Sequence, residues 1–433
     1  MCYSPRSKRS SAGSRGGGTG RRLEPRPVPA GNLVPDLNGV DAFGLDKIAS
    51  AAIARYAPWS AGRAAAHVAY AMTEKQGGSD LRANVTVANP VGRRGQGESY
   101  LLNGRKWFCR VPRAGLIITV AQTVAGPTCF AVPRFRPDGT VNTVRINRLK
   151  DKLGNRANAS SEIEYHDTYA ILVGGEGRGV HTILSSSEYT RLDFAIGSAG
   201  LIRAALSQAL HYNDHRTAFG RPLSQLPVQE PVLADLVLEW AGATHLAFRL
   251  ARTVDNRDDV SERLLERILT PVAKYWNCKR APLVAEEAME CIGGNGYIEE
   301  HPLPRYYREA PLNAIWEGTS NMRVLDVQRV LTREPKAIEP LLDEVREAAA
   351  GERRLSAALA GIGELIKQPE ITGRRLVSRI ALTLQAALLV RHAPAAVADA
   401  FCASRLDHDW EPTFGTLPPG ADLSAIVGYG RLA

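Results

Sequence analysis

The 433-residue chain has no run approaching the ~18 consecutive apolar residues that a membrane-spanning helix needs. Its six cysteines (Cys2, Cys109, Cys129, Cys278, Cys291 and Cys402) are scattered, and none stands in a CxxC spacing. Neither a disulfide framework nor a zinc site is therefore expected, and a cytoplasmic, reducing location fits best. The basic start lacks an apolar h-region, so it does not read as a secretory signal. There is no internal repeat. There is also little basic surplus on the body of the chain. The formal charge is +9, but Arg6, Lys8, Arg9, Arg15, Arg21, Arg22 and Arg26 against Glu24 place +6 of it in residues 1–27, leaving +3 for the other 406. A pI raised mainly by a tail is poor ground for a nucleic-acid surface on the folded part.

Hydrophobic content of 44% and charged content of 23% describe an ordinary globular chain, long enough for two or three domains. Residues 1–35 are rich in Gly, Ser, Pro and Arg and are expected to form a disordered basic tail. Residues 36–66 hold a short Ala-rich helical stretch from Leu45 to Tyr56, interrupted by Pro58. Residues 67–173 read as short strands, such as Val68–Met72, Ala83–Ala88, Ser99–Leu102 and Leu116–Gln122, punctuated by Asn-Pro, Asn-Gly and Asp-Gly turns. That texture predicts a compact antiparallel β domain. From 174 to 332 the period becomes helical, with one long helix or two over 181–217, interrupted near Gly197 and Gly200, and then a stripe of Val232, Leu236, Trp240, Ala243, Ala247 and Leu250. Residues 333–433 form an extra helical module, near neutral with 12 basic and 13 acidic side chains.

Residues 286–330 draw the chemistry together. They hold a Gly-rich turn (Gly293, Gly294, Gly296), an aromatic-basic run, and Glu317 between Trp316 and Gly318. Glycines let a backbone approach a ligand closely, and a carboxylate beside an aromatic ring is a candidate desolvated base. Taken alone, the stretch reads more simply as a turn joining two core helices.

Five ordered motifs change that balance: AMTEKQGGSD (71–80), LNGRKWF (102–108), HRTAFGRPL (215–223), CIGGNGY (291–297) and IWEGTSN (315–321). They resemble the signatures of the acyl-CoA dehydrogenase family, in the family's order. The implied fold class is α+β: a central antiparallel β domain followed by a four-helix bundle, here with an extra C-terminal helical module and a truncated N-terminal helical domain. KWFC at 106–109, RLKDKLGNRANASSE at 148–162, AFCASRL at 400–406 and FGTLP at 414–418 resemble the DNA-alkylation-response (AidB-like) branch.

The resemblance implies FAD as cofactor, an acyl-CoA substrate and a homotetramer. Glu317 occupies the family's base position, implying α-proton abstraction with β-hydride transfer to flavin N5. The implied cofactor-binding residues are Met72, Thr73, Ser79, Trp107, Cys109, Arg216, Phe219, Gly293, Gly294, Thr319 and Asn321. Cys109 replaces the hydroxyl residue of many relatives, so a main-chain bond is the one expected there. The alternative implied by the branch is a DNA-associated protective flavoprotein, with double-stranded DNA held by Arg374, Arg375, Arg379 and Arg391. The ordinary reading of such a cluster is a solvated helix face.

Overall fold

The computed structural model describes residues 67–432, apart from 186, 408 and 409. The expected basic tail (1–35) and helical remnant (36–66) lie outside the described residues.

Seven strands form one sheet: β1 (Val68–Ala71), β2 (Val87–Pro90), β3 (Ser99–Arg110), β4 (Leu116–Thr123), β5 (Gly126–Pro133), β6 (Val144–Leu149) and β7 (Ser160–Val173). β4 pairs with β2 and β5, and β3 and β7 complete the circuit, so the sheet closes into a small barrel. Closure leaves few edges exposed, and the inward positions Tyr100, Leu102, Phe130, Ile163, Tyr165 and Leu172 fill the interior. Two pairings depart from the antiparallel expectation: β2 meets β4 in parallel at Val87 opposite Gln122, and a longer parallel pair lies beside it. β1 runs parallel to β4, with Val68 opposite Leu116. The long intervening stretch from Met72 to Gly115 supplies the crossover that a parallel pair requires.

β3 is longer than the Ser99–Leu102 run suggests, because Asn103-Gly104 is not a turn. Gly104 adopts φ 152° against Thr86, where no Cβ fits, and the strand continues through a register shift. The expected Ala83–Ala88 strand starts later. Asp80 caps a 3-10 turn at Leu81–Ala83, accepting from the Arg82 N–H at 3.1 Å.

The helices are α1 (Gly179–Ser185), α2 (Ser187–His215), α3 (Glu230–Asp255), α4 (Val260–Glu290), α5 (Gly294–Tyr297), α6 (Leu303–Asn313), α7 (Ser320–Arg333), α8 (Glu339–Ala348), α9 (Arg353–Ile366), α10 (Pro369–His392), α11 (Ala395–Arg405) and α12 (Leu423–Leu432). α2 passes through Gly197 and Gly200 without a break, and space is open at both. α2, α3, α4 and α7 pack as a bundle around one apolar core, with α4 touching the other three. Leu236, Trp240, Ala243, Ala247 and Leu250 of the expected α3 stripe are buried in it.

The C-terminal helices are fastened to this bundle. The buried Arg405 guanidinium of α11 bonds Asp235 and Glu239 of α3, and Glu239 also accepts from Arg280 at 2.8 Å. The Gly415 N–H donates to Asp235 at 3.0 Å. The barrel and bundle meet where Asn155 donates to Glu309 through its backbone N–H (2.7 Å) and its side-chain amide (2.6 Å).

Candidate active site

On the barrel side, the MTEKQGGSD loop is stitched to β3. The Trp107 N–H donates to the Thr73 carbonyl at 2.8 Å, and the Asn84 side chain donates to the Met72 carbonyl at 2.8 Å. Beneath them lies a buried ion pair that the sequence reading missed. Lys106 Nζ donates to Glu74 Oε1 at 2.6 Å and to the Val120 carbonyl at 2.7 Å. Glu74 also accepts the backbone N–H groups of Val85 (2.7 Å) and Thr86 (3.1 Å). Burial pushes Lys106 down to about 8, against the pull of Glu74. Burial also acts to raise Glu74, but the Lys106 charge and the hydrogen bonds outweigh it and hold the carboxyl below its usual range.

Trp107 is half-buried in cationic surroundings. Lys150 Nζ stands 3.3 Å from its ring centre and Lys75 Nζ 5.7 Å. Glu162 organises the neighbourhood, accepting from Lys150 (2.7 Å), Arg105 (2.6 Å) and Arg148 (2.7 Å), and the bond from Lys150 leads in holding its carboxyl down to about 2. A recess of about 360 Å³ opens beside Trp107, Lys75 and Glu162. Cys109 faces the other way. Its thiol lies in the barrel core, pushed up to about 12 by burial, while its carbonyl accepts from Ser161 Oγ at 3.4 Å. Only main-chain atoms of Cys109 remain for a cofactor. Ser79 is exposed at the end of the loop.

On the bundle side, Glu317 sits in a tight loop between α6 and α7. It adopts φ 52°, a left-handed conformation that costs a side-chain-bearing residue about 1–2 kcal/mol, and Gly318 follows at φ 94°. Lys274, buried in the middle of α4, donates to the carbonyls of Trp316 (2.6 Å) and Gly318 (2.7 Å), on either side of Glu317. Burial pulls Lys274 down to about 7, opposed by Cys278 and reinforced by Arg323 and Arg191. Trp316 stacks on Phe194 with centroids 4.7 Å apart. The Arg110 guanidinium lies 4.1 Å from the Trp316 ring centre and 4.0 Å from Glu317 Oε1, so β3 and this loop meet at the carboxylate. Arg323 packs against Gly318 and pairs with Asp326 at 2.7 Å.

Gly293, Gly294, Arg216 and Phe219 form a second group, apart from Thr319 and Asn321. Gly293 (φ 69°) and Gly294 are exposed, with open space where a Cβ would project. They adjoin the end of α2, where Asn213 donates to the Cys291 carbonyl at 3.0 Å. The hairpin that follows α2 carries exposed Arg216 and Phe219, the latter 90% exposed at φ 53°. Thr319 and Asn321 begin α7 and are exposed, and Asn321 accepts from Arg374 Nε at 2.9 Å. The four arginines expected at DNA do not form one patch. Arg374 and Arg375 are exposed and Arg379 half-buried on neighbouring turns of α10. Arg391 lies about 18 Å further along the helix, by its rise per residue, and pairs with Glu347 at 3.4 Å.

Three features fit a flavin dinucleotide. The buried Trp316 indole N–H beside Glu317 has no protein acceptor. Thr319 at the N-terminus of the 14-residue α7 makes no side-chain cap bond, leaving its donors available to an anion. The backbone at Gly293 and Gly294 is open to close approach. Among the described residues no helix is long and apolar enough to cross a membrane, and no His/Cys/Asp/Glu group is placed to hold a metal.

A mixed barrel beside a helical bundle, with a carboxylate at their junction, defines an acyl-CoA dehydrogenase-type fold. The family profile described as the acyl-CoA dehydrogenase middle domain matches residues 69–168, and that of the acyl-CoA dehydrogenase C-terminal domain matches 177–332. The chain belongs to the acyl-CoA dehydrogenase family. It is 43% identical over 337 residues to the AidB protein of Escherichia coli (strain K12), covering 78% of this chain and 62% of that one. It is 31% identical over 320 residues to acyl-CoA dehydrogenase family member 11 of Caenorhabditis elegans, covering 69% and 50%. The chain thus spans half to three-fifths of the length of these relatives. The solved structure of Caenorhabditis elegans ACDH-11 in complex with C11-CoA superposes with a TM-score of 0.74 at 26% identity, covering 88% of this chain and 71% of that one.

Proposed function

We propose that the chain is an FAD-dependent oxidoreductase of acyl-CoA thioesters, with Glu317 as the base that removes the α-proton. The observation that carries this reading is the placement of Glu317. Its carboxylate stands where the barrel meets the bundle, on a loop whose backbone is held on both sides, next to Trp316 and Arg110. Bound FAD would accept the β-hydride. Thr73, Trp107, Thr319 and the Trp316 indole would hold one part of the cofactor. Main-chain atoms of Met72 and Cys109, together with Ser79 and Asn321, would add to that group.

Gly293, Gly294, Arg216 and Phe219 form a separate group at the C-terminal end of α2. The strained, exposed Phe219 supports the view that this group serves the cofactor of a second copy, within a homotetramer. Arg216 would meet a pyrophosphate with charge-assisted donors. A cytoplasmic location is proposed with the same function. Absorbance of the purified protein after FAD addition, followed by reduction with acyl-CoA, tests the reading. A protein that stays colourless overturns it.

A DNA-associated protective role is the second reading. It is favoured by Arg374, Arg375 and Arg379 lying on adjacent turns of α10. Affinity for duplex DNA should fall with salt and with neutralisation of these three residues. Neutralising Arg391 should matter little, because it is paired with Glu347 at a distance from them. Equal binding by the triple variant removes this surface as the DNA site.

A further inference from the structure

Glu317 and Gly318 are consecutive residues in the left-handed region, at φ 52° and 94°. A glycine takes this conformation freely, whereas a glutamate needs something to hold it there. The orientation of the carboxylate follows from that backbone turn. We infer that Lys274 is the positioning residue for Glu317: its amine grips the carbonyls before and after Glu317 and keeps the loop in the turn that aims the carboxylate. The inference rests on the reading of Glu317 as the base.

The bonds are short and symmetric about Glu317, at 2.6 Å to the Trp316 carbonyl and 2.7 Å to the Gly318 carbonyl. Lys274 is 1% exposed and makes no ion pair among the described residues. A lysine buried without a carboxylate partner is costly, and an apolar side chain would fill the same space at less cost. Its amine is therefore best explained by what it binds, and both of its hydrogen bonds go to this one loop. The surroundings close off alternatives. Arg323 occupies the space against Gly318, and the Phe194 ring, stacked on Trp316, lies 5.7 Å from Lys274 Nζ. Without the amine, two carbonyls would be left without their donor at the start of α7, and the loop would lose its hold on α4. An amine keeps two N–H donors after losing its proton, so both carbonyls stay bonded whether or not Lys274 is charged. The clasp is a fixed positioning device rather than a pH switch.

The test uses the full chain loaded with FAD, comparing the parent with Lys274→Met and Lys274→Arg. Crystal structures and dye-linked turnover are measured with butyryl-, isovaleryl- and undecanoyl-CoA. In Lys274→Met, Glu317 should leave the left-handed region. Turnover number, measured on FAD-loaded chain, should fall about a hundredfold, the loss typical of an ångström-scale misplacement, with KM barely changed. Lys274→Arg keeps donors for both carbonyls and should recover much of the loss. A Lys274→Met structure with Glu317 still near its parental φ overturns the inference whether or not the chain turns over, and so does an unchanged turnover number in an active chain. Should Lys274→Met fail to fold, Lys274→Gln, with a single shorter amide, is judged by the same criterion. Glu317→Gln separates the two claims. Full activity in that variant sinks the base assignment, while the Glu317 backbone in Lys274→Met still decides the positioning claim.

Discussion

The guanidinium of Arg110, the last residue of β3, stands 4.0 Å from the carboxylate of Glu317 and 4.1 Å from the ring centre of Trp316. The barrel therefore reaches the loop that carries Glu317 directly. Burial pulls the Arg110 guanidinium down while Glu317 opposes the shift, so the contact is partly desolvated on its cationic side. Cation–π contacts of this kind contribute about 0.5–2 kcal/mol. Arg110→Ala should lower unfolding stability by about 1 kcal/mol, read as the midpoint of a urea titration. An unchanged midpoint would mean that the contact does not tie the two domains together.

The Glu74–Lys106 pair sets the register between the MTEKQGGSD loop and β3, where Thr73 and Trp107 meet. Removing one partner of a buried pair leaves an uncompensated charge, at a cost of about 3–5 kcal/mol. Lys106→Met should show a loss of that size together with weaker FAD retention. Adding Glu74→Gln to it should recover part of the stability, because the stranded carboxylate is gone. A single variant as stable as the parent would remove the pair from the supporting framework of the site.

Glu162 gives a pH signature. Its carboxyl titrates near 2 in the folded protein against an ordinary value of 4.5, held down first by the bond from Lys150. A lowered folded value means that the unfolded chain binds the proton more readily. The stabilising contribution is then complete above about 4.5 and is lost as pH falls toward about 2. Glu162→Gln should be less stable than the parent at pH 7, and the gap should narrow between pH 4.5 and 2. Denaturant midpoints across that range check it. A gap of constant size would show that the ion cluster contributes no linkage.

Much of the fold was legible because local signals and global architecture agree. The change from strand punctuation to helical period near residue 174 marks the passage from barrel to bundle. The amphipathic stripe of α3 is the face that is buried. Local patterns misled where packing overrides them. Asn103-Gly104 carries the chemistry of a turn, yet Gly104 serves a continuous strand pressed against Thr86. The parallel partnership of β1 with β4 joins residues almost fifty positions apart, and no local pattern encodes it.

The site was legible as a set of motifs but not as a set of contacts. Glu74 and Lys106 stand inside two quoted motifs, 32 residues apart, and only the closed barrel brings their charges to 2.6 Å. Cys109 carries a reactive side-chain type, but the register shift between Lys106 and Cys109 turns its thiol into the core. Lys274 looks like any lysine on an amphipathic helix. Its role depends on the chain returning 42 residues later to offer the Trp316 carbonyl.

The most direct measurement of the proposed chemistry is flavin reduction. FAD-loaded parent and Glu317→Gln are mixed anaerobically with acyl-CoA thioesters while the flavin absorbance is followed. The parent should bleach, and Glu317→Gln should retain its yellow colour with FAD bound, slower by a factor of at least about 10²–10⁴, the range for loss of a general base. Bleaching of the variant at the parental rate would contradict the assignment of Glu317 as the base.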